Sequence, residues 1–242
     1  MTDPILKDRI ALVTGASRGI GRATALKLAS QGAHVIALAR TQGGLEELDD
    51  EIRAAGGASS LIVQDLAEFE ALDRLGPALY EKFGRLDIAV FNAGVLGELA
   101  PLADIAPKTW DETLTINVTA NWRLLRTLDP LLRASDAGRA AFLSSRAAIH
   151  FRAYWGIYSI SKAAFEAMAH TYASETEATP LRVSVIDPGP TATKMRAKAM
   201  PGEDPATIAQ PGDIAEMIAH ACGPDFSDHG ARLAFREWGE DN

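Results

Sequence analysis

Short apolar runs alternate with longer amphipathic stretches along the chain, and this rhythm predicts the secondary structure. The apolar runs predict seven strands, near residues 9–14, 33–39, 59–64, 86–91, 139–145, 181–186 and 231–235. The stretches between them predict helices after Gly19, over residues 44–55, 68–83, 110–133 and 158–178, and from about Pro211. Strands that alternate with helices are typical of βα units. We therefore expect an α/β fold with a doubly wound, parallel seven-stranded sheet that helices cover on both faces.

Residues 191–210 interrupt this rhythm. The segment carries Pro201, Gly202 and Pro205 together with several charges before the next helical stretch begins. Because such a composition is typical of loops, we expect a mobile flap over a substrate site. The sequence shows no linker, repeat or low-complexity tract, so residues 1–242 are expected to form one domain.

Composition and charge narrow the possible function classes. Hydrophobic residues make up 47% of the 242 residues, which is enough for one large core. The formal net charge of -8 and the pI near 5.2 provide no basic surface for nucleic acid or for an anionic membrane. No apolar run reaches the roughly 18 residues that a membrane helix needs. We therefore expect neither a nucleic-acid partner nor a membrane partner.

Cysteine and histidine usage narrows the chemistry further. Cys222 is the single cysteine, so an internal disulfide is excluded and a reducing, cytoplasmic location is expected. Residues 1–4 lack the charged-then-apolar pattern of a secretion signal. The five histidines show no short ligand spacing and have no cysteine partners, so we expect no metal site.

A glycine-rich turn stands between the first predicted strand and the first predicted helix. It reads Thr14-Gly15-Ala16-Ser17-Arg18-Gly19-Ile20-Gly21. Glycine permits positive φ angles and close backbone approach, and the free N–H groups and dipole of a helix start attract a pyrophosphate. The turn therefore predicts a dinucleotide site. A tight βα turn without a ligand is the alternative, although three glycines with Ser17 and Arg18 exceed what that turn requires.

Tyr158 and Lys162 lie four residues apart in a helical stretch, which places both side chains on one helical face. A phenol has a reference pKa of about 10, too high for proton transfer at neutral pH. An ammonium roughly 5 Å away contributes about 3 kcal/mol toward lowering that pKa, against the roughly 4 kcal/mol that a shift of three units requires. The pair predicts a proton-transfer site, although it arises by chance in about one such chain in nine.

The turn and the Tyr-x-x-x-Lys pair together resemble the short-chain dehydrogenase/reductase family, in particular its classical subgroup, over nearly the whole chain. The family pattern T-G-x-x-x-G-x-G is matched from Thr14 to Gly21, and its Asn-Ala-Gly motif by Asn92, Ala93 and Gly94. The resemblance implies a Rossmann fold and hydride transfer between a nicotinamide and a small-molecule carbonyl or alcohol. It also implies that the Asn-Ala-Gly motif stabilises the sheet and contacts the cofactor.

The resemblance further implies catalytic roles. Tyr158 is expected to act as general acid/base, and Ser145 to hydrogen-bond the substrate oxygen. Lys162 is expected to lower the tyrosine pKa and hold the ribose hydroxyls, and Asn117 to orient a water between the lysine and solvent. Taken without the family, Ser145 and Asn117 are explained as well by hydrogen bonds to neighbouring backbone.

The end of the second predicted strand bears on the choice of cofactor. NAD binding usually uses an acidic residue about 20 positions past the glycines. The chain has Arg40 there, and no acid follows before Glu46. Arg40 and Arg18 could pair with a 2′-phosphate through charge-assisted hydrogen bonds, so we expect NADP(H) in preference to NAD(H). The alternative for Arg40 is an ordinary solvated residue.

Further cofactor contacts follow from the resemblance. Asp65, with Leu66 beside it, corresponds to the acid that contacts adenine, but an N-cap before Leu66 explains Asp65 equally well. A proline–glycine turn with threonines nearby is expected at the nicotinamide amide, and it is matched here by Pro188, Gly189, Thr191 and Thr193.

These features predict an NADP-dependent oxidoreductase. The alternative is an NADP(H)-binding sensor or scaffold protein without turnover, although a pure binder needs no phenol beside the nicotinamide. An epimerase or dehydratase of the extended relatives ranks lower, because those proteins are longer and space their glycines differently.

The substrate side is predicted only in outline. The segment before Tyr158 would supply a partly polar aromatic wall, although aromatic residues at a helix start are as often core or interface residues; it contains His150, Phe151, Arg152, Tyr154 and Trp155. Basic residues in the flap would favour an acidic substrate, but a solvated charged surface is the commoner explanation; they are Lys194, Arg196 and Lys198.

The resemblance also implies a homodimer or homotetramer. Family members pair their fourth and fifth helices, which correspond here to the stretches at residues 121–133 and 163–172. The C-terminal residues 236–242 lack the glycine pair that many family members carry after the last strand, so the resemblance leaves open whether subunits meet there.

Overall fold

The computed structural model describes residues 4–238, and within them seven parallel strands form one sheet, as predicted. The strands are β1 Ile10–Thr14, β2 His34–Ala39, β3 Ala58–Val63, β4 Ile88–Phe91, β5 Arg139–Leu143, β6 Arg182–Asp187 and β7 Ala231–Ala234. Their spatial order is β3-β2-β1-β4-β5-β6-β7. The chain therefore winds outward in both directions from β1 and β4. Ligands of such sheets bind at the carboxyl ends of the strands, where the order reverses.

Helices cover both faces of the sheet. They are α1 Gly19–Ser30, α2 Gln42–Ala54, α3 Phe69–Phe83, α4 Pro107–Leu114, α5 Ala120–Arg133, α6 Gly156–Thr176, α7 Lys194–Ala199, α8 Pro211–Ala221 and α9 Phe235–Trp238. In the described part of the chain, no helix is both long and apolar enough to cross a membrane.

The hydrophobic core consists of two layers, because successive residues of a strand point to opposite faces. In β1, Ala11 and Val13 pack with α1, α2 and α8, whereas Leu12 packs on the other side with α3, α5 and α6. All three residues are fully buried. This double burial explains why the strands read as continuous apolar runs rather than as alternating ones.

The helix predicted over residues 110–133 is interrupted. Helix α4 ends at Leu114, α5 begins at Ala120, and Thr115–Thr119 form a π-helical turn between them. The Asn121 amide nitrogen donates to the carbonyl oxygens of Ile116 at 3.0 Å and of Asn117 at 3.1 Å, which stabilises the widened turn. Single π-turns inside helices are frequent at functional sites.

One further predicted bound was wrong, and the predicted flap contains regular structure. Strand β5 ends at Leu143 rather than at Ser145, because the Ser145 hydroxyl accepts a hydrogen bond from Ala147 N at 3.1 Å and begins a 3₁₀ turn. The flap at residues 191–210 contains a short helix, α7, and Thr191 and Ala209 form a parallel β-bridge across its base. Both changes lie next to the carboxyl ends of β5 and β6.

Candidate active site

The predicted phosphate turn lies directly after β1, and three glycines give it its shape. Gly15 and Gly19 have φ angles of 67° and 57°, in the left-handed region that disfavours other residues. A Cβ on Gly21 would lie 2.5 Å from the Gly15 carbonyl oxygen and in steric conflict with the Asn92 amide. Arg18 is the N-cap residue of α1, and its side chain accepts no hydrogen bond from the first N–H groups of this helix. Those N–H groups are therefore not capped by the Arg18 side chain.

Thr14 and Asn92 connect the phosphate turn to the end of β4. The buried Thr14 hydroxyl accepts from the backbone N–H groups of Asn92 and Ala93, each at 3.0 Å, and donates to the Val90 carbonyl at 3.3 Å. The Asn92 side chain donates to the Thr14 carbonyl at 2.7 Å. The Asn-Ala-Gly motif is thus bonded to the turn by its first two residues.

Ser145, Tyr158 and Lys162 come together beyond the end of β5. Helix α6 carries Tyr158 and Lys162, which are 7% and 6% exposed, and its first turn packs on the 3₁₀ turn that follows Ser145. Ser145 hydrogen-bonds the Tyr158 side chain. The Lys162 Nζ donates to the Leu143 carbonyl at 2.7 Å and lies 6.0 Å from the centroid of the Tyr158 ring. A phenol, a hydroxyl and an ammonium therefore face one another at the carboxyl edge of the sheet.

The expected lowering of the Tyr158 pKa by Lys162 was wrong for this structure. Burial raises the pKa of Tyr158 to about 12, and the hydrogen bond from Ser145 opposes this rise only in part. Burial also lowers the pKa of Lys162 to about 8, against a smaller opposing effect of Glu166. Both shifts have one physical cause, since removal from water disfavours the charged form of each group.

Asn117 lies in the π-turn, and its side chain bonds protein groups through both its oxygen and its nitrogen. Its Oδ1 accepts from Val95 N at 2.8 Å, and its Nδ2 donates to the Val95 carbonyl and to Ser161 Oγ, both at 2.9 Å. A Cβ on Gly94 would lie 3.1 Å from Asn117 Oδ1 and 3.7 Å from Lys162 Nζ. The amide thus fixes the segment after β4 against the catalytic helix, while its role toward a water stays a prediction.

Arg40 and Asp65 lie at the carboxyl ends of β2 and β3. The Arg40 side chain is 75% exposed, and its Nη1 lies 3.5 Å from Asp65 Oδ2. Asp65 Oδ1 accepts from Ala67 N at 3.0 Å within a turn, but the N-cap residue of α3 is Glu68, so the alternative of a helix N-cap at Asp65 was wrong. Leu66 is buried and Arg18 is exposed. The two arginines therefore project from neighbouring loops. The residue that follows β2 is Arg40 rather than an acidic residue.

The segment after β6 reaches the phosphate turn. Gly189 has a φ of 63°, and its N–H donates to Asp187 Oδ1 at 3.1 Å. Thr191 Oγ donates to the Pro188 carbonyl at 3.2 Å, and Thr193 Oγ accepts from Arg196 N at 3.2 Å at the start of α7. A Cβ on Gly19 would meet Thr193 Cγ2 at 3.5 Å. Of the four residues predicted here, Thr193 thus lies beside the turn, and the cofactor contacts of all four stay predictions.

Three segments surround the approach to Tyr158. Residues 95–102 pack on the start of α6, since a Cβ on Gly156 would lie 2.6 Å from Leu102 Cδ1. The Trp155 ring lies edge-on to the Tyr158 ring at 5.9 Å. Lys198 in α7 donates to the Gly97 carbonyl at 3.5 Å, which joins the flap to the loop after β4.

Exposed apolar side chains dominate this approach. Phe151 is 78% exposed, Tyr154 61% and Leu102 56%. Ile149, Met195 and Met200 are also exposed. In the flap, two nitrogens of the Arg196 guanidinium bond the Glu203 carboxylate at 2.5 and 2.6 Å, so Arg196 already has an anionic partner. Lys194 is exposed, in agreement with the alternative of a solvated surface.

Charged side chains that were not predicted lie next to Lys162 and Ser145. The Arg232 guanidinium, from β7, donates to Glu166 Oε1 at 2.9 Å and to Asp187 Oδ2 at 3.0 Å. Glu166 Oε2 also accepts from Ser144 Oγ at 2.5 Å. Glu166 follows Lys162 by one helical turn, so the i, i+4 spacing could have identified it. Sequence spacing gives no such indication for Arg232, which reaches the site only through the sheet.

Two other regions carry none of this chemistry. A recess of about 640 Å³ lies at the amino ends of β1 to β3, lined by His34 and Arg85 among others, at the opposite edge of the sheet. At the C-terminus, the Trp238 ring lies 4.8 Å from that of His220, and residues 239–242 are outside the described part. Within residues 4–238, no three His, Cys, Asp or Glu side chains form a group that could hold a metal.

Comparison with known proteins agrees with this geometry. The family model described as short chain dehydrogenase matches residues 9–204. The uncharacterized oxidoreductase YciK of Escherichia coli K12 is 39% identical over 224 residues, which cover 91% of this chain and 88% of YciK. A short chain dehydrogenase from Escherichia coli CFT073, solved with NADPH, superposes with a TM-score of 0.93 at 37% identity and covers 98% of this chain and 100% of its own.

Relatives are not uniform in the cofactor that their names give. An uncharacterized NAD-dependent oxidoreductase of Mycobacterium tuberculosis H37Rv is 34% identical over 76% of this chain and 71% of its own length. What the relatives share is the sequence and fold of one enzyme family, and the match extends across the turn, the Asn-Ala-Gly motif and the catalytic helix. This chain belongs to the short-chain dehydrogenase/reductase family.

Proposed function

We propose that the protein is an NADP(H)-dependent oxidoreductase that interconverts a carbonyl compound and its alcohol, with Tyr158 as general acid/base. The observation that carries the proposal is the convergence of Ser145, Tyr158 and Lys162 in a buried corner beside the phosphate turn. A bound nicotinamide would supply or accept the hydride. The residues of this chain would supply the proton and the polarisation.

The fit of a dinucleotide is supported by the space that the glycines leave. Gly15 and Gly21 allow the backbone of the turn to close on Asn92, and a Cβ on Gly189 would meet no atom within 4 Å. The first turn of α1 would hold the pyrophosphate with its N–H groups. Lys162 would hold the ribose hydroxyls, and the threonines after Gly189 the nicotinamide amide. Asp65 and Leu66 would border the adenine.

Reduction places negative charge on the substrate oxygen, and each proposed catalytic group would help to stabilise or neutralise this charge. The Ser145 hydroxyl would donate a hydrogen bond to this oxygen and fix its position. Tyr158 would then transfer its phenolic proton to the oxygen. The Lys162 ammonium would stabilise the phenolate that remains. Asn117 would keep the segment after β4 in place beside the lysine and orient a water there.

The preference for NADP(H) is proposed from the charge at the end of β2. Arg40 is exposed. No acidic residue follows β2 in the chain before Glu46, so no carboxylate directly at the strand end would repel a 2′-phosphate. The present contact of Arg40 with Asp65, at 3.5 Å, is long and exposed, so little free energy opposes a turn of the guanidinium toward a phosphate. The related structure that contains NADPH supports the same choice.

We further propose that the substrate is uncharged and largely apolar near the approach. Phe151, Tyr154 and Leu102 offer apolar surface there, and Arg196 is already neutralised by Glu203. A carboxylate substrate would find exposed cations, such as Lys194 and Arg152, whose attraction is weak in water. Neutral ketones should therefore react with higher kcat/KM than analogues of equal size that carry a carboxylate.

The test is an NADPH-consumption assay over a panel of aldehydes and ketones, with Tyr158→Phe as the diagnostic variant. We expect a loss of turnover of at least about 100-fold, since general acid catalysis contributes that much or more. NADPH affinity, measured by fluorescence titration, should stay within about threefold of wild type, because the ring remains. Tyr80→Phe, at a residue that is 60% exposed on α3, is the matched control.

The two outcomes separate the enzyme from the alternative. Full activity of Tyr158→Phe would refute the mechanism. Tight NADPH binding by wild type, with no turnover over the panel in either direction, would favour the sensor or scaffold function.

A homodimer or homotetramer is part of the proposal. Trp122 on α5 is 46% exposed and Ile160 on α6 is 38% exposed, which supports contacts through the helices that family members pair. A monomer by light scattering at micromolar concentration would contradict this assembly.

A further inference from the structure

The last strand of the sheet reaches into the proposed catalytic site through one side chain. Arg232 lies in β7, at the edge of the sheet, and its side chain is 21% exposed. Its Nε donates to Glu166 on the catalytic helix, and one Nη donates to Asp187 at the end of β6. The same Nη lies 3.5 Å from the Ser145 carbonyl oxygen. One guanidinium therefore touches the three segments that carry the catalytic serine, the catalytic helix and the turn at Pro188.

The partners of Arg232 are buried and have further bonds that fix them. Glu166 and Asp187 are 6% and 4% exposed. Glu166 accepts from Ser144 Oγ, the neighbour of the catalytic serine, and Asp187 accepts from Gly189 N. Planar guanidinium and carboxylate groups bond through several atoms, so they fix distance and orientation together.

The charges in this cluster are balanced. Two carboxylates, Glu166 and Asp187, are matched by two cations, Arg232 and Lys162. Lys162 lies one helical turn before Glu166, the spacing at which side chains of a helix meet. His170 also faces Glu166, with its Nε2 at 3.8 Å from Oε1 and a side chain that is 44% exposed.

We propose that Arg232 and Glu166 are positioning residues: their ion pair holds Ser145, helix α6 and the turn at Pro188 in their mutual arrangement, and the Glu166 carboxylate supplies the counter-charge for Lys162. The inference rests on the proposed function, because Lys162 matters only if Tyr158 transfers a proton. Neither residue touches the reacting atoms. Their effect passes through Lys162 and through the backbone of Ser145.

The counter-charge has a measurable consequence. Burial already lowers the pKa of Lys162 to about 8, and Glu166 opposes this effect. In Glu166→Gln the opposing charge is gone, so the lysine should lose its proton at lower pH. The phenolate formed during turnover would then lack its stabilising cation in a pH range where wild type still has it.

The experiment measures kcat and KM against pH for wild type, Glu166→Gln, Arg232→Lys and Arg232→Met, after each fold is checked by circular dichroism. In Glu166→Gln, the loss of kcat at high pH should begin about one unit lower than in wild type. Arg232→Lys keeps the charge but cannot bridge two carboxylates, so its kcat should lie between those of wild type and Arg232→Met. Arg123→Met is the matched control, since Arg123 is 27% exposed and pairs with Asp73 at 2.6 Å between α5 and α3.

Three results are decisive. The proposal would be overturned if folded Glu166→Gln and Arg232→Met had the same kcat and the same pH dependence as wild type. It would also be overturned if Arg123→Met changed kcat and its pH dependence as much as these two variants do. If Arg232→Met does not fold, the Glu166→Gln profile decides alone, because that change keeps the shape of the side chain.

Failure of the proposed function is detected separately. If wild type turns over no compound of the panel, the same variants are compared by the pH dependence of NADPH affinity. Loss of affinity at lower pH in Glu166→Gln than in wild type would support the counter-charge, and identical curves would overturn it. An absence of NADPH binding by wild type would refute both proposals.

Discussion

Replacement of Thr14 by valine should destabilise the fold at the point where the cofactor turn meets the sheet. The Thr14 hydroxyl is fully buried and uses its whole hydrogen-bonding capacity, with two N–H groups donating to it and one carbonyl accepting from it. Valine has nearly the same shape but no hydroxyl. The substitution therefore leaves the N–H group of Ala93 without its acceptor, whereas the N–H group of Asn92 keeps the Val90 carbonyl at 3.1 Å.

The magnitude follows from that one donor. A buried donor without a partner costs about 1–3 kcal/mol, so the free energy of unfolding should fall by about 1–3 kcal/mol. Urea denaturation followed by circular dichroism measures the difference. Thr14→Ser is the control, because it keeps the hydroxyl and loses one methyl group, at a cost of about 1 kcal/mol. A loss below about 1 kcal/mol in Thr14→Val, with the unfolding slope unchanged, would refute this account of the turn.

Three further predictions concern the cofactor turn, coenzyme choice and pH. Gly21→Ala should weaken NADPH binding and lower Tm, since its Cβ would lie 2.5 Å from the Gly15 carbonyl oxygen; Gly43→Ala, where a Cβ meets nothing within 4 Å, should change neither property. Arg40→Ala should reduce the ratio of kcat/KM for NADPH over NADH by about tenfold, the worth of one charge-assisted hydrogen bond, and a wild-type preference for NADH would overturn the choice of cofactor. Turnover should decrease as pH rises through about 8, because Lys162 then loses its charge; a flat profile from pH 7 to about 9.5 would contradict this assignment.

The fold could be predicted because its sequence rule is simple. Each strand is buried on both faces, so runs such as Ile10–Thr14 and His34–Ala39 are apolar throughout and stand out between helical stretches. The turn at Gly15 to Gly21 joins a strand to a helix, so it identifies the first βα unit of the chain. Seven strands with such connections leave few arrangements other than the parallel sheet observed.

The parts of the site that could not be predicted depend on contacts between distant segments. The break at Thr115–Thr119 requires Asn121 to bond two backbone carbonyls, and a period of hydrophobic residues does not report such a bond. Arg196 was considered as a cation that could attract an acidic substrate, but in the structure it forms an ion pair with Glu203. Arg232 meets Glu166 only after β7 has joined the sheet.

The pKa of Tyr158 was expected to fall because of Lys162, but burial raises it, and the extent of burial depends on the fold. Attraction between the phenolate and an ammonium was worth about 3 kcal/mol, but desolvation costs a similar amount: a pKa of about 12 corresponds to about 3 kcal/mol against ionising the phenol. For Lys162, a pKa of about 8 in the folded state lies below the ordinary 10.5. The charged lysine therefore costs stability fully below pH 8, and this cost disappears as pH rises from about 8 to 10.5. The fold keeps a costly cation beside the phenol, and the Glu166 carboxylate, which Arg232 holds in place, offsets part of that cost.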